Sequence, residues 1–234
     1  MKHRRLLMLF LSNAVMTIDD FDIIVSTTDS PISAERRTRI AKFFAAAGVT
    51  NYRFDEEPVC KVKPKELFFL NHPGNYGCDR HFANLLTRNT ERDIIYLEDD
   101  ALISLDFREE MNAHLAELPD DWNIFAAGYS HIWDRVPVSQ NIITVGGQWG
   151  TQCLVLLKNW WQSQVADAIL SHKFYQYGKG GFDVGLSCWC KAHSVKYFLA
   201  AKSFVGQGKG RSIITNEVYG VAGIHPRKVI RIEN

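Results

Sequence analysis

The sequence predicts an α/β fold, a single domain whose mixed, mainly parallel β-sheet is flanked by helices. Residues 22–28, a helical stretch closed by Gly48, and residues 49–54 form a strand–helix–strand opening, an order in which the two strands run parallel. Ile94, Ile95, Tyr96 and Leu97 make a short apolar run rich in β-branched residues, the pattern of a strand buried on both faces. The 234 residues, 46% hydrophobic and 23% charged, suit one globular domain of ordinary make-up. A domain of that size buries about 70% of its unfolded surface and needs no disulfide or metal staples.

The chain begins with Lys2, His3, Arg4 and Arg5 ahead of an apolar stretch at residues 6–16. This imitates a signal peptide, but the stretch holds Ser12 and Asn13, is too short to span a bilayer and lacks a small-x-small cleavage site. Residues 1–21 are therefore expected to pack on the domain, with peripheral contact between the basic start and an anionic membrane left open.

After the first strand, Asp29, Ser30 and Pro31 turn the chain, and Ser33 is placed to cap a helix in which Ile40, Phe43 and Phe44 recur at helical spacing. Arg36 and Arg37 fall in its first turns, near the strand end, where a guanidinium could reach a diphosphate by charge-assisted hydrogen bonds. Residues 58–73, with Lys61, Lys63 and Lys65, read as a loop or an edge strand, and a helix at 79–88 puts Phe82, Leu85 and Leu86 on one side. The buried strand that follows stops at Glu98, Asp99 and Asp100. Three consecutive carboxylates repel one another unless a cation sits against them. Ligand crevices in α/β sheets open at strand C-terminal ends, so the partner expected here is a divalent metal with a phosphorylated ligand.

A helix at 106–118, with Met111, His114 and Leu115 at helical spacing, leads to a strand at 123–128 whose end carries Tyr129, Ser130 and His131. Residues 142–157 read as two strands split by a glycine-containing turn, where Trp149 offers a flat aromatic face. A helix over 159–170 precedes Tyr175 and the glycines at 178, 180 and 181, which deliver Asp183 at the N-cap of an apolar helix. Residues 195–200 form the last strand. In the closing stretch Lys209 and Arg211 could neutralise a departing diphosphate, and His225 is a further candidate metal ligand.

Several of these features together resemble the GT-A-fold glycosyltransferases, most closely the family 25 type of lipopolysaccharide biosynthesis and collagen galactosylation. They are the N-terminal strand and helix with Arg36 and Arg37, the helix start at Gly77 and Cys78, the strand end Leu97-Glu98-Asp99-Asp100, and Gly150-Thr151 leading into an apolar strand. The resemblance spans residues 22–212, and its specific part is the carboxylate motif. The chain departs from the family after Gly77-Cys78, where Asp79-Arg80-His81-Phe82 replaces a Ser-His pair and shifts the His by one position.

The resemblance implies a GT-A-like, Rossmann-like sheet in a domain at 22–234, with 22–118 the donor-nucleotide half and 119–234 the acceptor half. It implies a metal-dependent hexosyltransferase that moves a hexose, galactose by family, from a UDP-sugar to a hydroxyl of a glycan or lipid-linked oligosaccharide, with inversion. Mn²⁺ or Mg²⁺ would be held by Glu98 and Asp100, with Gln207 nearest to the place of a third ligand. Thr27, Arg36, Arg37, Glu98, Asp99, Gln148, Thr151, Lys209 and Arg211 are then the expected donor-binding residues. Trp149 and Tyr175 would contact the acceptor, and Asp183 would be the general base that takes its proton.

Two other readings stay open: a GT-A-like glycan-binding module without transfer activity, using Trp149, Trp160 and Tyr175, and a transferase that retains configuration. A nucleotidyltransferase is disfavoured, because no glycine-rich phosphate loop follows the first strand. The net charge of +1 argues against general nucleic-acid binding. Five Cys without a C-x-x-C pair read as the reduced thiols of a cytoplasmic protein, located at the inner membrane face if residues 1–21 touch lipid.

Overall fold

The computed structural model of the chain describes residues 16–58, 73–88, 91–158, 168, 182–208, 210–211 and 218–219. Strand β1 (Asp22–Thr28) lies between β2 (Tyr52–Glu57) and β3 (Ile94–Glu98), parallel to both. The crossover from β1 to β2 is α1 (Pro31–Ala46). Its cap is Ser30, whose Oγ accepts the Ser33 N–H at 3.1 Å, and not Ser33 as the sequence suggested. Pro31 explains the earlier start: its fixed φ suits the first helical position, where no N–H is needed. Gly48, at φ +66°, ends the helix as expected.

Helix α2 (Pro73–Arg88) begins before the predicted 79–88 and feeds β3. After the turn at Asp99 and Asp100 come β4 (Ala101–Ile103) and α3 (Phe107–Glu117). The sheet continues through β5 (Ile124–Gly128). Residues 142–157 hold three strands where two were expected: β8 (Ile142–Thr144), β9 (Gly147–Trp149) and β10 (Cys153–Leu156). The middle one leaves the main sheet and pairs with β6 (His131–Trp133) as a separate antiparallel ribbon. Strand β7 (Val136–Pro137) pairs with β8, and α4 (Phe182–Ala192) precedes β11 (Tyr197–Ala200) and β12 (Val205–Gln207). Strands β13 (Gly210–Arg211) and β14 (Val218–Tyr219) form a short antiparallel pair.

The main sheet runs β2-β1-β3-β10-β5-β11-β8-β7, with β12 joining β5 and β4. Strands β1, β2, β3, β5, β7, β11 and β12 point one way, and β4, β8 and β10 the other. This is the predicted mixed, mainly parallel sheet. Its alternating side chains build two cores. Ile23, Val25, Ile95, Leu97, Phe125 and Val155 pack with Ile40, Phe44, Phe107 and Met111 of α1 and α3. Ile24, Ile94, Tyr96, Leu154 and Leu199 pack with Phe82, Leu86, Leu186 and Trp189 of α2 and α4. Helices therefore cover both faces, which is why the central strands read as continuous apolar runs.

The apolar stretch before Met16, the irregular segment 59–72, most of the expected helix at 159–170, Trp160, Tyr175, Lys209 and His225 lie outside the described residues. Among the described residues no helix is long and apolar enough to cross a membrane.

Candidate active site

Because β10 is antiparallel to its neighbours, its start lies at the same sheet edge as the ends of β1, β3 and β5. Thr27, Glu98 and Thr151 thereby lie at one edge of the sheet. Asp99 is only 6% exposed, yet both of its oxygens are matched. Thr27 Oγ1 donates to Oδ2 at 2.9 Å, and Arg36 Nη1 donates to Oδ1 at 2.9 Å. Asp100 is matched on one oxygen: Gln207 Nε2 donates to Oδ2 at 3.2 Å, and Arg36 Nη2 stands 3.9 Å from it. Its Oδ1 is buried with no hydrogen-bond partner among the described residues. Burial raises the Asp100 pKa against the opposing pull of Arg36 and Gln207.

Glu98 accepts a 2.7 Å hydrogen bond from Thr151 Oγ1. Burial, reinforced by the charges of Asp100, Asp183 and Asp99, pushes its pKa up to about 8, with the Thr151 bond opposing. The next residue back, Gly150, adopts φ +89° and donates its N–H to Asp183 Oδ2 at 2.5 Å. Such a left-handed turn suits glycine. Asp183 Oδ1 accepts the Val184 N–H at 2.9 Å, and Asp183 is the second residue of α4, in its first turn, where its spacing suggested the N-cap. Burial raises its pKa, while the Gly150 and Val184 N–H groups oppose the shift.

Of the predicted residues, Thr27, Arg36, Asp99, Asp100 and Gln207 are joined by hydrogen bonds and ion pairs, Glu98 is bonded to Thr151, and Asp183 to Gly150; the backbone through 98–100 and 150–151 connects the three sets. Gln148 belongs to the same turn: it is buried, its Nε2 donates to the Gly150 carbonyl at 3.1 Å, and its Oε1 has no hydrogen-bond partner among the described residues. Trp149, between them, is exposed. Arg37 does not reach the carboxylates at 98–100: it donates to the Thr28 carbonyl at 2.7 Å and, at 3.5 Å, to Thr27 Oγ1, and it pairs with Glu56 at 2.6 Å. Arg211 lies in β13. His81 Nδ1 lies 3.3 Å from Ser26 Oγ, and burial lowers its pKa, favouring the neutral ring.

Arg39 was missed. Three residues after Arg36 it shares that residue's helix face, a spacing that the sequence contains. Its guanidinium lies beside Gly208, where a Cβ would come within 3.0 Å of both terminal nitrogens. Its Nε and Nη2 are buried without hydrogen-bond partners among the described residues, and burial lowers its pKa while Asp100 opposes. Ser130, at the strand end expected to line a crevice, accepts a 3.3 Å hydrogen bond from Gln152 Nε2, a residue not singled out from the sequence.

No three His, Cys, Asp or Glu side chains among the described residues form a ready metal cage. Mg²⁺ and ions like it, however, take one or two carboxylates and fill the remaining positions with water and phosphate oxygens. The unpartnered Asp100 Oδ1 and the raised pKa of Glu98 fit that donor set. A cavity of about 370 Å³, lined by Ser104, His114, Arg135 and Lys202 among others, opens beyond the opposite end of the β4–β12 ladder from Asp100 and Gln207.

No family model and no curated protein matches the chain. Solved structures do. The glycosyltransferase GlyE of Streptococcus pneumoniae TIGR4 aligns over 76% of this chain and 44% of its own, at 11% identity and a TM-score of 0.41. The chain therefore spans under half the length of GlyE. A glycosyltransferase involved in glycosylation of the major capsid of PBCV-1 aligns over 76% of this chain and 80% of its own, at 11% identity and TM-score 0.42. The galactosyltransferase LgtC, solved with donor and acceptor sugar analogs, aligns over 76% and 73%, at 15% identity and TM-score 0.46.

Proposed function

We propose that the chain is a metal-dependent glycosyltransferase that moves a hexose from a UDP-sugar to a hydroxyl of a glycan acceptor, with inversion. The observation that carries this reading is the line Glu98–Thr151–Gly150–Asp183, which puts an acidic cluster on one side of a turn and a single part-buried carboxylate on the other. Asp100 and Glu98 would hold Mn²⁺ or Mg²⁺, which as a Lewis acid stabilises charge on the diphosphate. Arg36 bridges Asp99 and Asp100 and fixes their orientation, helped by Thr27. Gln148, with its Oε1 unpartnered among the described residues, and Thr151 are assigned to sugar hydroxyls. Lys209 and Arg211 of the closing stretch are assigned to the departing diphosphate, and Arg37 to the donor side. Trp149 and Tyr175 are the acceptor contacts.

Asp183 is assigned the acceptor proton. Its raised pKa makes it a stronger base than a free carboxylate, and the Gly150 and Val184 N–H groups hold both oxygens in place. Galactose is the proposed sugar, a glycan or lipid-linked oligosaccharide the acceptor, and the cytoplasm the place of action.

The test screens nucleotide sugars for metal-dependent thermal stabilisation and for sugar transfer. Asp100→Ala and Asp183→Asn should each lower turnover by about 10²–10⁴-fold, the range expected for loss of a positioned acid, base or charge. Undiminished turnover in both variants overturns the assignment, and the anomeric configuration of the product, read by NMR, decides inversion.

A further inference from the structure

The β6–β9 ribbon has two unlike faces. Its register sets His131 opposite Trp149, Ile132 opposite Gln148 and Trp133 opposite Gly147. Alternation puts Ile132 and Gln148 inward, and His131, Trp133 and Trp149 outward. Trp133 is 38% exposed and Trp149 49%, a concentration of indole surface in water that needs a reason. The His131 and Trp149 rings lie 5.6 Å apart at 72°, so they meet edge to face and do not stack. Trp133 lies across Gly147, where a Cβ would come within 2.0 Å of the indole. The missing side chain lets the ring rest against the backbone with its other face open.

We propose that this face is a glycan platform and that the acceptor is an oligosaccharide laid over Trp149 and Trp133. The inference rests on the glycosyltransferase reading and extends it. Indole faces accept the C–H faces of sugar rings, while His131 can hydrogen-bond their hydroxyls. No Lys, Arg, Asp or Glu belongs to the two strands of the ribbon, and the two charges that follow Trp133, on Asp134 and Arg135, are of opposite sign, so the face carries no net charge to select a phosphorylated ligand over a neutral polyhydroxylated one. Continuity ties the platform to the site: Trp149 is bonded to Gly150, whose N–H holds Asp183, so the ribbon ends one residue from the turn that anchors the proposed base. Trp133 is the diagonal cross-strand neighbour, about 7–8 Å away at the backbone, more than one pyranose ring covers. The platform therefore engages at least two consecutive sugars.

Tryptophan fluorescence of the full chain, which has six Trp, reads this directly. The probes are methyl β-galactoside and methyl β-glucoside against lactose, cellotetraose, maltotetraose and lacto-N-neotetraose. At least one tetrasaccharide should bind about tenfold more tightly than its monosaccharide. Trp133→Ala, and Gly147→Ala by displacing the indole, should remove that gain, Trp133→Phe should restore part of it, and Trp149→Ala should weaken every sugar. Unchanged thermal midpoints exclude unfolding as the cause. Absence of saturable binding by any oligosaccharide, equal affinity for monosaccharide and tetrasaccharide, or full binding in Trp133→Ala overturns the platform. So does loss, in Trp133→Ala, of binding to phosphatidylglycerol vesicles with no glycan response. Oligosaccharide binding without sugar transfer supports the platform and removes the transferase reading; transfer indifferent to acceptor length and to Trp133 does the reverse.

Discussion

Glu98 carries the clearest conflict between charge and position. Its folded-state pKa, about 8, lies above the ordinary glutamate value, so the fold favours the protonated form. The associated stability is fully present below the unfolded-state pKa and is lost as pH rises through about 8. Asp100 and Asp183 shift the same way. In chelator, the thermal midpoint should fall from pH 5 to pH 8, and Glu98→Gln should flatten part of that slope. Mn²⁺ should raise the midpoint more at pH 8 than at pH 5, because it binds the ionised cluster. Scanning fluorimetry checks this, and an equally steep fall in Glu98→Gln would count against it. Asp99 is the opposite case, buried but fully matched. Arg36→Met leaves its Oδ1 unpaired and should cost about 3 kcal/mol in urea denaturation. The acidic triplet itself was legible, because three carboxylates ending an apolar run need a cation. The division of labour among them was not, since it depends on Thr27, Arg36, Thr151 and Gln207, which come from four separate segments. Adjacent arginines also diverge by about 100° around a helix, so only Arg36 of the expected pair reaches the acids and Arg39 joins it.

Among the elements, the long periodic ones were readable and the three-residue ones were not. Helices α1 and α3 and the buried strands β1, β3, β5 and β11 announce themselves by spacing or by unbroken apolar character. Strand β9 is too short to show a period, and what sets it off is local: Trp133 over Gly147, and the left-handed turn at Gly150. That turn does two jobs, ending the ribbon and aiming an N–H at Asp183. Gly150→Ala would place a side chain at φ +89° and against the Gln152 amide and Ser130 Oγ. It should destabilise the fold by about 1–3 kcal/mol, as a strained backbone position does. Transfer should fall further than that loss explains, since Asp183 loses an anchor while the protein remains folded at 25 °C. Activity that merely follows the folded fraction, measured on the same samples by circular dichroism, would separate the turn from the base.

At the scale of the molecule, the two halves named from sequence, 22–118 and 119–234, interlock. Strand β10 of the second half is inserted between β3 of the first and β5 of the second, pairing Leu154 with Tyr96 on one side and with Ala126 on the other. Strand β12 joins β4 of the first half to β5 of the second. Both cores also draw residues from both halves: Leu97 and Val155 share one, Tyr96 and Leu154 the other. Among the described residues no folding boundary therefore separates 22–118 from 119–234. Urea unfolding should be a single transition, coincident by tryptophan fluorescence and far-UV circular dichroism. Leu154→Ala should lower stability by about 3 kcal/mol without changing the slope of free energy on denaturant. A local role for β10 would instead split the transition or reduce the slope, because half the chain would unfold while the other half kept its sheet. The site lies on this splice, with Glu98 ending β3 and Thr151 just before β10, so the same variant should loosen the Glu98–Thr151 contact. Its Mn²⁺-induced rise in thermal midpoint should then be smaller than that of the unaltered chain at equal pH, and an undiminished rise would show that the acids hold their geometry without the splice.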